Sequence, residues 1–136
     1  LDGWKRAVAN GHEVGNHTLT HPCTGNYAFS KDNALETMSL KDIEREILEA
    51  DRALGQLLGI RPESFAYPCC QAFVGRGRGV KSYVPIVAGR FLTGRMGGND
   101  AGNDPLRCDL SQLLAGGLSG GVLTAIVNMI RAATAR

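Results

Sequence analysis

The sequence lacks the features that mark several large classes of protein. Its 136 residues carry a net charge of +2 at pH 7, which is too small to indicate nucleic acid or an acidic membrane as a partner. No apolar run reaches the length of a membrane span, and the best candidate, residues 122–130, is short and includes two polar side chains. No secretory signal is visible after Leu1. We therefore expect neither a nucleic-acid partner nor a membrane span.

Cysteine is sparse, and the rest of the composition is that of an ordinary globular domain. Hydrophobic residues make up 43% of the sequence and charged residues 21%, so we expect one domain with its own core. The four cysteines, Cys23, Cys69, Cys70 and Cys108, are too few for a disulfide-rich scaffold. Two interpretations of these cysteines, as free thiols or as disulfide partners, both remain open. A bond between the neighbours Cys69 and Cys70 would be strained, so Cys23 is the favoured partner if either of them pairs.

Histidine is also rare, yet two of the three histidines lie close together. His17 and His21 are four residues apart, just before Pro22. Imidazole is the commonest side-chain metal ligand near neutral pH, and two rings at this spacing can converge on one divalent ion if the segment forms a helical turn. A zinc site needs three or four ligands. Further candidate ligands near the pair are Cys23, Cys69, Cys70 and Asp32.

The start of the chain has the helix–glycine–strand order that is typical of α/β folds. Residues 1–10 are predicted to end an amphipathic helix, with Gly11 as its C-terminal stop. Residues 12–16 follow as a short strand, on which His12 should face away from His17 and is therefore interpreted as structural. Residues 17–35 are rich in turn formers and are predicted to form a long, structured loop.

The clearest predicted helix covers residues 39–58. Apolar side chains recur there at intervals of three and four residues and form one stripe. Ser39 and Asp42 approximate a capping box, and Gly59 closes the helix. A short buried strand over residues 64–67 comes next. This order predicts an α/β fold with parallel strands and helical crossovers.

The second half of the chain gives weaker patterns. Residues 75–79, Gly-Arg-Gly-Arg-Gly, fit neither a dinucleotide fingerprint nor a phosphate loop and are predicted to be a flexible loop. Residues 80–92 are apolar enough for either a strand or a short helix. Residues 94–104 are predicted to be loop, and residues 118–133 a helix.

Two segments carry a resemblance to a known family. Residues 11–22, Gly-His-Glu-Val-Gly-Asn-His-Thr-Leu-Thr-His-Pro, resemble the second motif of the polysaccharide deacetylases (carbohydrate esterase family 4, the NodB-homology domain), which is His-[Ser/Thr]-x-x-His after a short strand. Residues 65–68, Phe-Ala-Tyr-Pro, resemble one form of the family's third motif. The resemblance covers residues 1–74. It implies an α/β fragment of a distorted (β/α) barrel, with the site at the carboxyl ends of the strands.

The resemblance also implies an activity and a metal. Family members are metal-dependent hydrolases that act on carbon–nitrogen bonds other than peptide bonds or on acetyl esters, and they release acetyl groups from polysaccharides or amino-sugar oligomers. By this resemblance His17 and His21 are the metal-binding histidines, Zn²⁺ is the favoured ion, and an acetylated polysaccharide or oligosaccharide is the substrate. An extracytoplasmic or secreted location is likewise implied.

The resemblance assigns roles around the turn that follows the second strand. The backbone N–H of Cys69 matches the donor that stabilises the oxyanion, which is a contribution of about 3 kcal/mol in comparable sites. Tyr67 and Pro68 are candidate substrate contacts. Cys23 is a candidate additional ligand or disulfide partner. We expect Cys23 and Cys69 to lie close together, because both follow strand ends that would flank one pocket.

The sequence also departs from the family pattern. The first motif, Thr-Phe-Asp-Asp, which supplies the general base and a third metal ligand, is absent, and no histidine follows His21 to act as the general acid. Ala66 stands where many members carry arginine. Cys70 replaces a glycine and is strained if that position needs a positive φ. We therefore expect residues 1–136 to be a single partial deacetylase domain without its first and last motifs.

Two alternatives to a deacetylase follow from these departures. One is a degenerate, non-catalytic domain that binds a metal or a glycan. The other is a structural zinc site built from His17, His21 and Cys23 with Cys69 or Cys70. Because a barrel without all of its strands would leave apolar faces and strand edges uncovered, a homodimer is a further possibility.

Overall fold

The computed structural model describes residues 1–97, 103 and 107–115. The α-helices are α1 (Asp2–Ala9), α2 (Leu40–Leu58) and α3 (Val84–Ala88). The strands are β1 (Ser64–Ala66), β2 (Phe73–Val74), β3 (Lys81–Ser82), β4 (Thr93–Gly97) and β5 (Leu113–Ala115). Short 3₁₀ helices cover Ala28–Asn33, Leu35–Thr37, Pro68–Cys70, Gly77–Gly79 and Leu110–Gln112. The helix predicted over residues 118–133 lies outside the described residues.

A parallel sheet is the central element of the fold. Its strand order is β1-β4-β5, and both pairings are parallel. Asn16 adds a single parallel bridge to Phe65 on the free side of β1. Strands β2 and β3 form a separate antiparallel pair. The predicted α/β class with parallel strands is confirmed, whereas the described strands do not by themselves form a closed barrel.

Helix α2 forms where the sequence predicts it. The Ser39 hydroxyl accepts a hydrogen bond from the Asp42 amide, and the Asp42 carboxylate accepts one from the Ser39 amide, which completes the predicted capping box. The Ser39 hydroxyl also donates to this carboxylate and is the main cause of its lowered pKa. Gly59 ends the helix in the left-handed conformation with φ +70°. The apolar stripe of α2 buries Ile43, Ile47 and Ala50.

Aromatic side chains from β1 and its neighbours fill the core. The ring of Phe65 lies 5.0 Å from that of Tyr67 and 5.4 Å from that of Phe91, measured between centroids. Tyr83 is fully buried and packs against both Phe65 and Tyr67. Burial raises the pKa of the hydroxyls of Tyr67 and Tyr83, so both stay neutral. The core therefore joins β1 to both α2 and α3.

Two of the predicted elements differ from the structure. Residues 12–16 do not form a strand, and of these residues Asn16 alone pairs, through its bridge to Phe65 of β1. Residues 94–104, predicted to be loop, contain most of β4. A Cβ at Gly94 would lie 2.2 Å from the Ser111 carbonyl oxygen, so glycine permits a close approach of the two backbones there. Parallel pairing on both sides of β4 outweighs the weak strand propensity of glycine.

The remaining weak patterns resolve into short elements. Residues 80–92 contain both β3 and α3, with Pro85 in the first turn of the helix. The glycine-rich residues 75–79 end in the 3₁₀ helix Gly77–Gly79. Within the described ranges, none of the helices combines the length and the apolar character that crossing a bilayer requires.

Candidate metal and substrate site

The candidate site lies at the carboxyl-terminal edge of the parallel sheet. Asn16 pairs with Phe65 of β1, so the chain leaves the sheet side by side at His17 and at Tyr67. Ligand sites in parallel sheets form at this edge, because the loops after the strands meet there. The loop that starts at His17 and the turn Pro68–Cys70 are the two segments that build the site.

The two imidazole rings of the motif lie against one another in an edge-to-face arrangement. The ring centroids of His17 and His21 lie 4.7 Å apart, with the planes inclined at 67°. The Nδ1–H of His17 donates a hydrogen bond of 2.7 Å to the Ala66 carbonyl of β1. A neutral imidazole that donates through Nδ1 keeps its lone pair on Nε2, which is the arrangement of a metal-binding histidine with its orienting partner.

The segment between the histidines is not the helical turn that the spacing suggested. Thr18 and His21 take left-handed backbone conformations, with φ of 64° and 55°. A positive φ is unusual for a β-branched residue such as threonine, and strain of this kind concentrates at functional sites. The Thr18 hydroxyl accepts from the His21 amide at 3.2 Å, and Glu46 of α2 accepts from the Thr20 amide at 2.8 Å.

Asn16 anchors this strained segment to the core. Its side chain is completely buried. The amide nitrogen Nδ2 donates to the Ile47 carbonyl at 2.9 Å and to Oδ1 of Asp51 at 2.7 Å. The carbonyl oxygen Oδ1 accepts from the Thr18 amide at 2.8 Å. Asn16 was not among the predicted site residues, although its position directly before His17 is a sequence signal that points to it.

A disulfide joins the two segments of the site. Cys23 and Cys69 are bonded, and their Cα atoms lie 5.9 Å apart, so the predicted proximity of these two residues is confirmed. Nδ1 of His21 lies 3.8 Å from the Cys23 sulfur, and the ligand atoms of His21, Cys23 and Cys69 all lie within 4.8 Å of one another. Sulfurs bonded to each other offer no thiolate, so the pair supplies no metal ligand in this form. Asp32 does not belong to this group.

The loop after the histidines holds Cys23 in place. The Ser30 hydroxyl accepts from the Cys23 amide at 2.9 Å and donates to the Cys23 carbonyl at 2.8 Å. The carboxylate of Glu36 accepts from the Thr24 hydroxyl and from the Gly25 amide. The Thr24 hydrogen bond is the main cause of the lowered pKa of Glu36. The predicted long loop is therefore well ordered by local hydrogen bonds.

Of the other candidate residues at the turn after β1, Tyr67 and Pro68 are buried, whereas Cys70 is exposed. The Tyr67 hydroxyl donates to the Ser111 carbonyl at 3.0 Å, and burial leaves neither Tyr67 nor Pro68 open to the predicted substrate contact. Cys70 has φ +59°, as expected for a residue that replaces glycine. Its free, exposed thiol lies against Gly97, where an added Cβ would come within 2.2 Å of the sulfur.

A cleft of about 300 Å³ opens beside His17. Residues of β1 and β4 line it, including Ala66 and the exposed Arg95, which are direct neighbours in the strand register. Glu13 lines the same cleft. Arg95 was not among the predicted site residues, because its segment was predicted to be loop.

An exposed aromatic pair borders His21. The rings of Tyr27 and Phe29 stack at 5.4 Å with an angle of 12° between their planes. They are 47% and 68% exposed, and the Phe29 ring lies 6.2 Å from that of His21. Exposed, stacked rings are costly to leave in water and suit contact with a ligand that has an apolar face.

Comparison with known proteins agrees with these features. The sequence model of one family, Polysaccharide deacetylase, matches residues 2–72, a little over half of the chain. A chitooligosaccharide deacetylase from Sinorhizobium fredii is 44% identical over 50 residues, which cover 37% of this chain and 18% of that protein. The match thus spans less than a fifth of the length of this relative, and no solved structure matches the chain. The extent of the family match shows that the chain belongs to the polysaccharide deacetylase family.

Proposed function

We propose that this chain serves in the hydrolytic removal of acetyl groups from a polysaccharide or an amino-sugar oligomer, with His17 and His21 as ligands of a divalent ion. The observation that carries the proposal is the edge-to-face contact of the two imidazoles at the carboxyl edge of the sheet, with His17 oriented through Ala66. The related protein from Sinorhizobium fredii, a chitooligosaccharide deacetylase, indicates the class of substrate. N-acetylated chitin oligomers are therefore the substrates to test.

The donor set of the pair fits Zn²⁺ best. Zinc favours neutral imidazole nitrogens and accepts tetrahedral sites in which water or substrate takes the open positions. The hydrogen bond from Nδ1 of His17 to Ala66 leaves Nε2 for this purpose. When bound, such an ion polarises a carbonyl oxygen and lowers the pKa of a water molecule. Among the described residues, no carboxylate completes a group of three ligands around these histidines.

The remaining roles in the proposed reaction fall to groups around the cleft. We propose that the backbone N–H of Cys69 donates to the oxygen on which negative charge develops, since Cys69 follows β1 at the edge where His17 lies. Among the described residues, the group of metal-binding side chains around His21 contains only Cys23 and Cys69 besides this histidine, and these cysteines are bonded to each other. We propose that the third ligand, the general base and the general acid come from residues outside this group.

The open sheet face supports the placement of residues 1–136 in one domain of the barrel type. One face of β1 is packed on the core, whereas the other lines the cleft beside His17. In a barrel this second face points to the interior, where further strands pack. The disulfide between Cys23 and Cys69 supports an extracytoplasmic location, because such bonds persist in oxidising compartments. A homodimer, predicted above from uncovered faces, gains no support from the structure or the comparisons.

The histidine pair is the first test of the proposal. We expect His17→Gln and His21→Gln each to lower the release of acetate from N-acetylated chitin oligomers by about 100-fold, because each removes one ligand of the ion. Zinc content after dialysis, measured by mass spectrometry, should fall in parallel. His12→Gln is the matched control, since His12 is exposed and lies outside the pair. Acetate release that survives in His17→Gln at the wild-type rate would reject the proposal.

The exposed aromatic pair is expected to bind the sugar. Phe29→Ala should raise KM for a chitin oligomer about fivefold with little change in kcat, because stacking worth about 1 kcal/mol is lost equally from the ground state and the transition state. Trp4→Ala is the control, since Trp4 is equally exposed but lies on α1. Steady-state kinetics of the two variants provide the measurement. Equal KM values for both would mean that the pair does not touch the substrate.

A further inference from the structure

We propose that reduction of the disulfide between Cys23 and Cys69 creates a second metal site, in which His21, Cys23 and Cys69 together bind a thiophilic divalent cation such as Zn²⁺. This inference goes beyond the proposed deacetylase, which uses neither sulfur. It shares His21 with that function but does not require the protein to release acetate. The disulfide then has a chemical role, since it keeps two strong ligands away from the ion that the histidines hold.

The positions of the three side chains carry the inference. Nδ1 of His21 lies 3.8 Å from the Cys23 sulfur, and all three ligand atoms lie within 4.8 Å of one another. A tetrahedral zinc ion with bonds of about 2.0 Å to nitrogen and 2.3 Å to sulfur needs ligand atoms about 3.5–3.8 Å apart. The Cα separation of 5.9 Å between the cysteines lets the released sulfurs reach that spacing by side-chain rotation.

The surroundings of the sulfurs favour a metal once the bond is broken. Cys23 is fully buried, and the Ser30 hydroxyl holds its backbone on both the amide and the carbonyl side. A buried thiolate is costly without a counter-charge, and a divalent cation supplies one. Zinc also prefers thiolate and imidazole together over imidazole alone.

The chemical step is a thiol–disulfide exchange with a dithiol reductant. A reductant thiolate attacks the sulfur of Cys69, which is partly accessible whereas Cys23 is not, and the thiolate of Cys23 leaves. The second reductant thiol then displaces Cys69, so the reductant ends as a cyclic disulfide and the protein gains two electrons and two protons. Cation binding releases both thiol protons to the solvent.

Cobalt absorption provides the test, because sulfur-to-cobalt charge transfer is seen only with thiolate ligands. The whole chain is titrated with Co²⁺ before and after treatment with a phosphine reductant, and Zn²⁺ is then added to displace the cobalt. We expect no charge-transfer band in the oxidised chain and a strong one in the reduced chain, with an affinity for Zn²⁺ that is at least about tenfold higher after reduction.

Substitutions separate this site from other thiolates. The band should weaken by half or more in Cys23→Ser, Cys69→Ser and His21→Gln, and should persist in Cys70→Ser, whose thiol lies outside the group. Circular dichroism of the reduced chain reports whether it stays folded. A reduced chain without the band, or a band that Cys70→Ser removes and Cys23→Ser leaves intact, would overturn the inference. Loss of acetate release with the band intact would affect the proposed deacetylase alone.

Discussion

Replacing Asn16 by leucine is expected to lower the free energy of unfolding by about 3–4 kcal/mol. The asparagine side chain is completely buried and makes three hydrogen bonds, two as donor and one as acceptor. Leucine has a similar volume but would leave the Asp51 carboxylate and the Thr18 amide without these partners. A buried polar group that loses its partner costs about 1–3 kcal/mol. Urea denaturation followed by circular dichroism measures the change.

The control for this substitution is Asn26→Leu. Asn26 is exposed, and its change should stay within about 0.5 kcal/mol of the wild-type value. Because Asn16 links α2 to Thr18, we also expect zinc binding by the histidine pair to weaken in the Asn16 variant even where it is folded. An unfolding free energy within 1 kcal/mol of wild type would mean that Asn16 does not hold the segment in place.

Reduction of the disulfide between Cys23 and Cys69 is expected to lower the free energy of unfolding by about 4 kcal/mol. The two residues are 46 positions apart, and in the chain-entropy description the closure of a loop of this length contributes about 4 kcal/mol. The bond also crosses the site, since it ties the segment after His21 to the turn after β1. Urea denaturation of the metal-free chain with and without a phosphine reductant gives the difference.

Two substitutions check that this effect belongs to one bond. Cys70→Ser and Cys108→Ser remove the free thiols and should leave the oxidised chain as stable as wild type, within about 0.5 kcal/mol. Cys69→Ser without reductant should reproduce the loss. Zn²⁺ bound at the second metal site should restore part of the stability of the reduced chain, because a cation that binds only the folded state adds to the unfolding free energy. Equal midpoints in both redox states would contradict the prediction.

The sequence predicted most accurately those elements whose local capping and periodicity signals agree with their burial in the structure. Helix α2 has a regular apolar stripe, a capping box at Ser39 and a glycine stop at Gly59, and the structure confirms all three. Strand β4 was missed, because a run rich in glycine carries no strand signal of its own. It exists because β1 and β5 offer parallel partners on both sides, and such long-range pairing is invisible in a local pattern.

The same distinction applies to the candidate site. A short motif singled out His17 and His21, and the residues around the two strand ends predicted that Cys23 and Cys69 would meet. The partners that orient the site come from distant parts of the chain. Ala66 binds the His17 ring through a backbone carbonyl, which any residue type could supply, so no sequence pattern could reveal it. Arg95 reaches the cleft only through the strand register.

The contact between Cys70 and Gly97 ties the evolution of two distant positions together. The Cys70 sulfur fills the space that a Cβ at position 97 would need. A relative with glycine at position 70 has room for alanine or serine at position 97, whereas a chain with cysteine at 70 does not. Relatives should therefore carry a residue larger than glycine at position 70 or at position 97, but not at both positions.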